Sequence, residues 1–93
     1  MRVFGTLKCN KDVSVKWQLT KMDEEYKELK IAVENGDVDN IAEETLDIMQ
    51  VCINILGTLF DQEQITEEVI KHNAKLKGRG HELDKTILVV RGN

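Results

Sequence analysis

The chain has 93 residues, of which 41% are hydrophobic and 32% charged, with a net charge of −4; this is the balance of one globular domain and excludes a disordered chain. A chain this short buries only about 60–65% of the surface its unfolded form exposes, so its core is thin and oligomerisation is a natural remedy. The acidic balance argues against a nucleic-acid duplex as partner, and no apolar run approaches the ~18 residues needed to cross a bilayer. The first eight residues lack the apolar segment and small-residue cleavage site of a signal peptide, so the expected location is cytoplasmic.

The pattern is all-α, with three helices between two short tails. Helix 1 is expected to begin after Ser14 as N-cap and to stop at Asn35-Gly36, where glycine can take a left-handed conformation. Its apolar stripe is Val15, Leu19, Met22, Tyr26, Leu29 and Val33, at helical spacing. Helix 2 is expected from Asn40, with Glu43 completing a capping box, to about Phe60. It carries one apolar line through Ile41, Ile48, Val51, Cys52, Ile55 and Leu59, and a second through Leu46, Met49, Ile53, Leu56 and Phe60. Together these span an arc of roughly 220°, more than one packing partner needs, which places helix 2 at the centre and at a subunit interface.

Helix 3 is expected to start at Asp61 or Thr66 and to run to about Lys77, with Ile65, Val69, His72 and Leu76 inward and a flexible stop at Gly78-Arg79-Gly80. The β-branched run Thr86–Val90 reads either as a short strand pairing with Arg2–Leu7 or as an arm docked on a neighbouring subunit. Cys9 and Cys52 show no metal or redox spacing; Cys52 falls on an apolar face, where a buried, reduced thiol is the ordinary outcome.

Two pairs of carboxylates stand out, Glu25-x-x-Glu28 on helix 1 and Glu44-x-x-Asp47 on helix 2, separated by fifteen residues that include the Asn-Gly turn. Residues three apart share a helix face, and the turn brings the second pair beside the first. In projection Glu25 and Glu28 border the core, Glu44 lies inside the apolar arc between Val51 and Ile55, and Asp47 lies just beyond its edge. A carboxylate among aliphatic side chains costs several kcal/mol, on the order of a pKa shift of several units, unless a cation is near. Two readings survive, a salt bridge to Lys21 or to a basic residue of helix 3, and a divalent cation of the Mg²⁺ type on hard oxygen ligands. Four carboxylates in two ordered pairs favour the cation.

Lys71, Lys75 and Arg79 recur every four residues on helix 3 and form a basic stripe suited to an anion, although Glu67 and Glu68 could pair with it. Asn73 projects near the apolar face, where its amide must find a partner in a neighbouring backbone or in a base or sugar. A lone inward His72 reads as packed. Trp17, outside the stripe of helix 1, suits either base stacking or a subunit contact.

The run Gln18–Leu29, with its Glu24-Glu25-x-x-Glu28, followed by Glu44-x-x-Asp47 and by Lys71–Gly80, resembles the MazG-like nucleoside triphosphate pyrophosphohydrolases, whose signature is E-E-x-x-E, a variable spacer and E-x-x-D. The resemblance covers about residues 15–80 of a single domain expected over 1–93. It implies an all-α enzyme that cleaves nucleoside triphosphates to monophosphate and pyrophosphate with Mg²⁺, for which Mn²⁺ can substitute. Glu25, Glu28, Glu44 and Asp47 would then be metal ligands, and Glu25 the candidate to orient or deprotonate the attacking water. Lys71, Lys75 and Arg79 would hold phosphates, and Asn73 and Gln18 the nucleoside. The family's assembly implies a helical hairpin plus third helix building four-helix bundles across the subunits of a homodimer or homotetramer. No P-loop and no Ser/His/Asp or Cys/His arrangement competes with this chemistry. The reading from a different class is a catalytically silent helical dimer that serves as a binding or regulatory module.

Overall fold

The computed structural model describes residues 5–7 and 14–85, and these contain three α-helices and no strand. They are α1 (Val15–Asn35), α2 (Val38–Leu59) and α3 (Gln62–Gly78). Residues 86–90 and 2–4, on which the strand reading rested, lie outside the described residues, as does Cys9; Gly5–Leu7 form no strand. Contacts divide the chain into two compact units, one holding Gly5–Thr58 with α1 and α2, the other holding α3 from Leu59 onward. No helix among the described residues is long and apolar enough to cross a membrane.

Local chemistry sets the helix ends. The Trp17 N–H donates to Ser14 Oγ at 3.1 Å, satisfying one of the donors that the first turn of α1 leaves without a helical partner. At the other end Gly36 takes φ 65°, and the N–H groups of Gly36 and Asp37 return to the carbonyls of Val33 and Ala32. That is a Schellman closure, which needs the left-handed residue glycine supplies.

Asp37 then opens α2. Its Oδ1 accepts from the Asn40 N–H at 3.2 Å, and its carbonyl accepts from Ile41 at 2.8 Å. The helix therefore starts two residues before the expected Asn40, because the aspartate at the corner caps it first. On α3, Asp61 and Gln64 form a reciprocal capping box, with bonds of 2.8 and 2.9 Å. At the Gly78-Arg79-Gly80 stop Gly80 takes φ 84°, and the Gly80 and His81 N–H groups close on the carbonyls of Lys77 and Leu76.

Packing corrects the expected faces. On α1 the buried residues are Gln18, Glu25 and Ala32, about 80° around the helix from the centre of the stripe that periodicity suggested. Leu19, Tyr26 and Val33 are left 53–57% exposed. Ala32, at 1% exposure, is the small residue that lets α2 approach, and it draws the contact line toward the flank it shares with Glu25. The buried apolar core among the described residues is only Ala32 and Val51, ringed by half-buried Val15, Met22, Leu29, Ile41, Ile48 and Ile55. Cys52 is exposed, not buried. On α3, Ile65 and Leu76 are half-buried while Val69 and His72 are exposed, so the inward placement of His72 does not hold.

Candidate metal centre

The turn at Gly36-Asp37 sets α1 and α2 side by side and brings their acidic flanks together. Glu25, Glu28 and Glu44 each offer a carboxylate oxygen, and the three oxygens lie within 4.8 Å of one another. Glu25 is buried at 7% exposure, Glu44 is half-buried and Glu28 is exposed, so the cluster runs from the helix contact out to solvent. Asp47, one turn beyond Glu44 and exposed, is not within that three-oxygen group, although its charge acts on Glu44.

The electrostatics follow from this crowding. The Glu44 carboxyl is pushed up to about 7, first by burial, then by its hydrogen bond with Glu28 and the Glu28 charge, with smaller contributions from Glu25 and Asp47. Glu25 is handled differently. Its Oε1 meets Lys21 Nζ at 3.2 Å, and Lys21, which also reaches Glu24 at 3.6 Å, is held above its ordinary value chiefly by the hydrogen bond to Glu25. One ammonium is thus shared between Glu24 and a single edge of Glu25. Glu25 Oε2 and Glu44 Oε2 are buried without a hydrogen-bond donor.

Two donorless buried oxygens beside a third carboxylate are what a hard divalent cation would satisfy, since Mg²⁺ and its relatives take oxygen ligands and carboxylates in particular. The residues fit such an ion. Glu25, Glu28 and Glu44 are the ligands the geometry supports directly, with Asp47 next to them on α2.

The remaining candidates are placed less closely. Gln18 is buried on the same flank of α1, and its Nε2 donates to Thr58 Oγ1 of α2 at 2.9 Å, so it ties the two helices together within the unit that holds the carboxylates. Lys71, Asn73, Lys75 and Arg79 are all exposed on α3 or its cap, in the other unit. Lys71 pairs with Glu68 at 3.2 Å, the local partner its spacing allowed. Asn73 borders a groove of about 420 Å³ formed with Leu76, His81 and Leu83. Trp17 is exposed at the start of α1.

Lys21, one of the salt-bridge partners the sequence offered for the carboxylates, takes Glu25; the feature sequence reasoning missed is a polar line on α2, Gln50, Asn54 and Thr58. These amides and this hydroxyl bond to one another's elements and to residues 5–7 and Gln18. The available signal was their i, i+4, i+8 spacing within an otherwise apolar helix. No family model matches the chain, and neither the curated proteins nor the solved structures compared with it gave a match.

Proposed function

We propose that the chain is a Mg²⁺-dependent nucleoside triphosphate pyrophosphohydrolase of the MazG-like type, releasing pyrophosphate and a nucleoside monophosphate. The observation that carries this reading is the convergence of Glu25, Glu28 and Glu44 with two buried, donorless oxygens, at the positions of the acidic signature. The resemblance of residues 15–80 supplies the reaction class, and the cluster supplies a place for the cation it requires.

A bound divalent cation would contribute charge neutralisation at phosphate oxygens, where negative charge concentrates during phosphoryl transfer. The chain's own groups do the rest. Glu25 Oε2, a buried acceptor whose other edge is fixed by Lys21, is suited to orient a water by accepting its hydrogen. Glu44 gives up its proton when a cation occupies the cluster. By the resemblance, Lys71, Lys75 and Arg79 would present positive charge for phosphate and Asn73 an amide for a nucleoside, while Gln18, buried and bonded to Thr58, would act by holding α1 against α2.

A homodimer or homotetramer completes this reading. The exposed Leu19, Tyr26 and Val33 of α1, and Leu46 and Leu56 at the far side of α2, are apolar surface that a bundle with a second copy would cover. The test is product analysis over a panel of standard and modified nucleoside triphosphates, with Mg²⁺ and with EDTA. Pyrophosphate appearing only with Mg²⁺ is expected. Release of single phosphates instead would refute the reaction class.

One observation favours a second reading, the helical binding module. The Lys21–Glu25 ion pair shows that part of the cluster is neutralised within the chain. That reading expects no response of the protein to Mg²⁺ and no special cost for replacing Glu44.

A further inference from the structure

The segment Gly5–Leu7 belongs to the same compact unit as α1 and α2, yet it is neither helix nor strand. Its main chain is held by side chains of α2. Gln50 Nε2 donates to the Gly5 carbonyl at 2.8 Å and to Asn54 Oδ1 at 3.1 Å. Asn54 Oδ1 in turn accepts from the Leu7 N–H at 3.0 Å. A primary amide carries both a donor and an acceptor end, so this pair meets both polarities of a main chain that belongs to no helix or strand.

Gly57 completes the fit. A Cβ at that position would overlap Thr6 Cγ2 and lie 3.2 Å from Thr6 Cβ. Glycine weakens a helix interior relative to alanine, and here it stands where the segment crosses the helix. Gln50, Asn54 and Gly57 follow Asp47 at steps of three or four residues, so all four share one flank of α2.

We infer that Gln50, Asn54 and Gly57 form a receptor ledge for peptide backbone, occupied by this chain's own Gly5–Leu7 as a strap along the flank that begins at Asp47. Recognition is through the main chain, with the Gly57 notch selecting what can stand at the middle residue. The strap is held by two hydrogen bonds and one steric fit, and Leu7 remains exposed. It is therefore releasable without unfolding the hairpin. This inference stands apart from the proposed hydrolysis and is tested without metal or nucleotide.

The experiment is limited trypsin digestion of the full chain, with cleavage at the Lys8–Cys9 bond followed by mass spectrometry. A protease must bind the residues preceding the bond in extended form, so a docked Gly5–Leu7 slows cutting in proportion to how seldom it opens. Gly57→Ala should accelerate this cut about tenfold while helical content by circular dichroism is kept or raised, as alanine is the better helix former. In a Thr6→Gly background the same substitution should change the rate by less than about twofold, because the clash is gone. Gln50→Met, which removes the donor without altering the notch, should also accelerate the cut. Wild-type rates in Gly57→Ala and Gln50→Met, or a Gly57→Ala effect that persists with Thr6→Gly, would overturn the inference.

Discussion

Occupancy of the acidic cluster by a cation should be visible as protons leaving it. In the cation-free protein the Glu44 carboxyl is pushed up to about 7 by burial and by Glu28, with help from Glu25 and Asp47. A carboxylic acid must lose its proton to become a ligand. With that carboxyl raised to about 7, the cluster holds more of its extra proton at pH 6 than at pH 8. Mg²⁺ or Mn²⁺ binding should therefore release more protons per site at pH 6 than at pH 8. Calorimetric titration at each pH in two buffers of different ionisation enthalpy measures the release directly. Glu44→Gln, which has no proton to lose, should abolish its pH dependence. Binding with a release that is flat from pH 6 to 8, or unchanged in Glu44→Gln, would refute the assignment of Glu44 to the site.

The same carboxyl sets the pH dependence of stability without metal. Because its folded-state value is raised above the ordinary carboxyl value of 4.5, the folded chain holds the extra proton between about 4.5 and about 7, and Glu44's contribution is greatest below that window and lost as pH rises through it. Glu44→Gln should therefore melt at or above wild type at pH 8 and converge with it near pH 4.5; clear destabilisation at pH 8 would favour the structural salt-bridge reading. Gly36, at φ 65°, should resist substitution: Gly36→Ala is expected to cost about 1–2 kcal/mol in denaturant unfolding and Gly36→Asn less, since asparagine tolerates the left-handed region.

The parts of this fold that were legible in the sequence are those decided locally. Ser14, Gly36 and Asp61 each sit where one side chain or one permissive φ settles a helix end, and each does so in the structure. Asp37 escaped notice because Asn40-x-x-Glu43 offered an equally good capping pattern, and only the Schellman closure of α1 decides between them.

The buried face of α1 was not legible. Periodicity ranks Leu19, Tyr26 and Val33 as core, but the approach of α2 at Ala32 turns the helix toward Gln18 and Glu25, a tertiary choice that hydropathy does not encode. The carboxylates were the exception to that blindness. Three-residue spacing keeps Glu25 beside Glu28 on one flank of α1, and that is the flank α1 turns toward α2, so Glu25, Glu28 and Glu44 come together while Asp47 is not in the group. Gln50, Asn54 and Gly57 carry no local signal beyond spacing, because their role depends on a segment more than forty residues earlier.

The most direct measurement is pyrophosphate release by Glu44→Ala beside Glu43→Ala, each with saturating Mg²⁺ and with EDTA. The two positions are neighbours in sequence, yet Glu44 is half-buried in the cluster and Glu43 is exposed outside it. Activity that is abolished by EDTA, kept in Glu43→Ala and reduced by at least about a hundredfold in Glu44→Ala is the expected result. Equal activity in the two variants, or activity untouched by EDTA, would contradict the account.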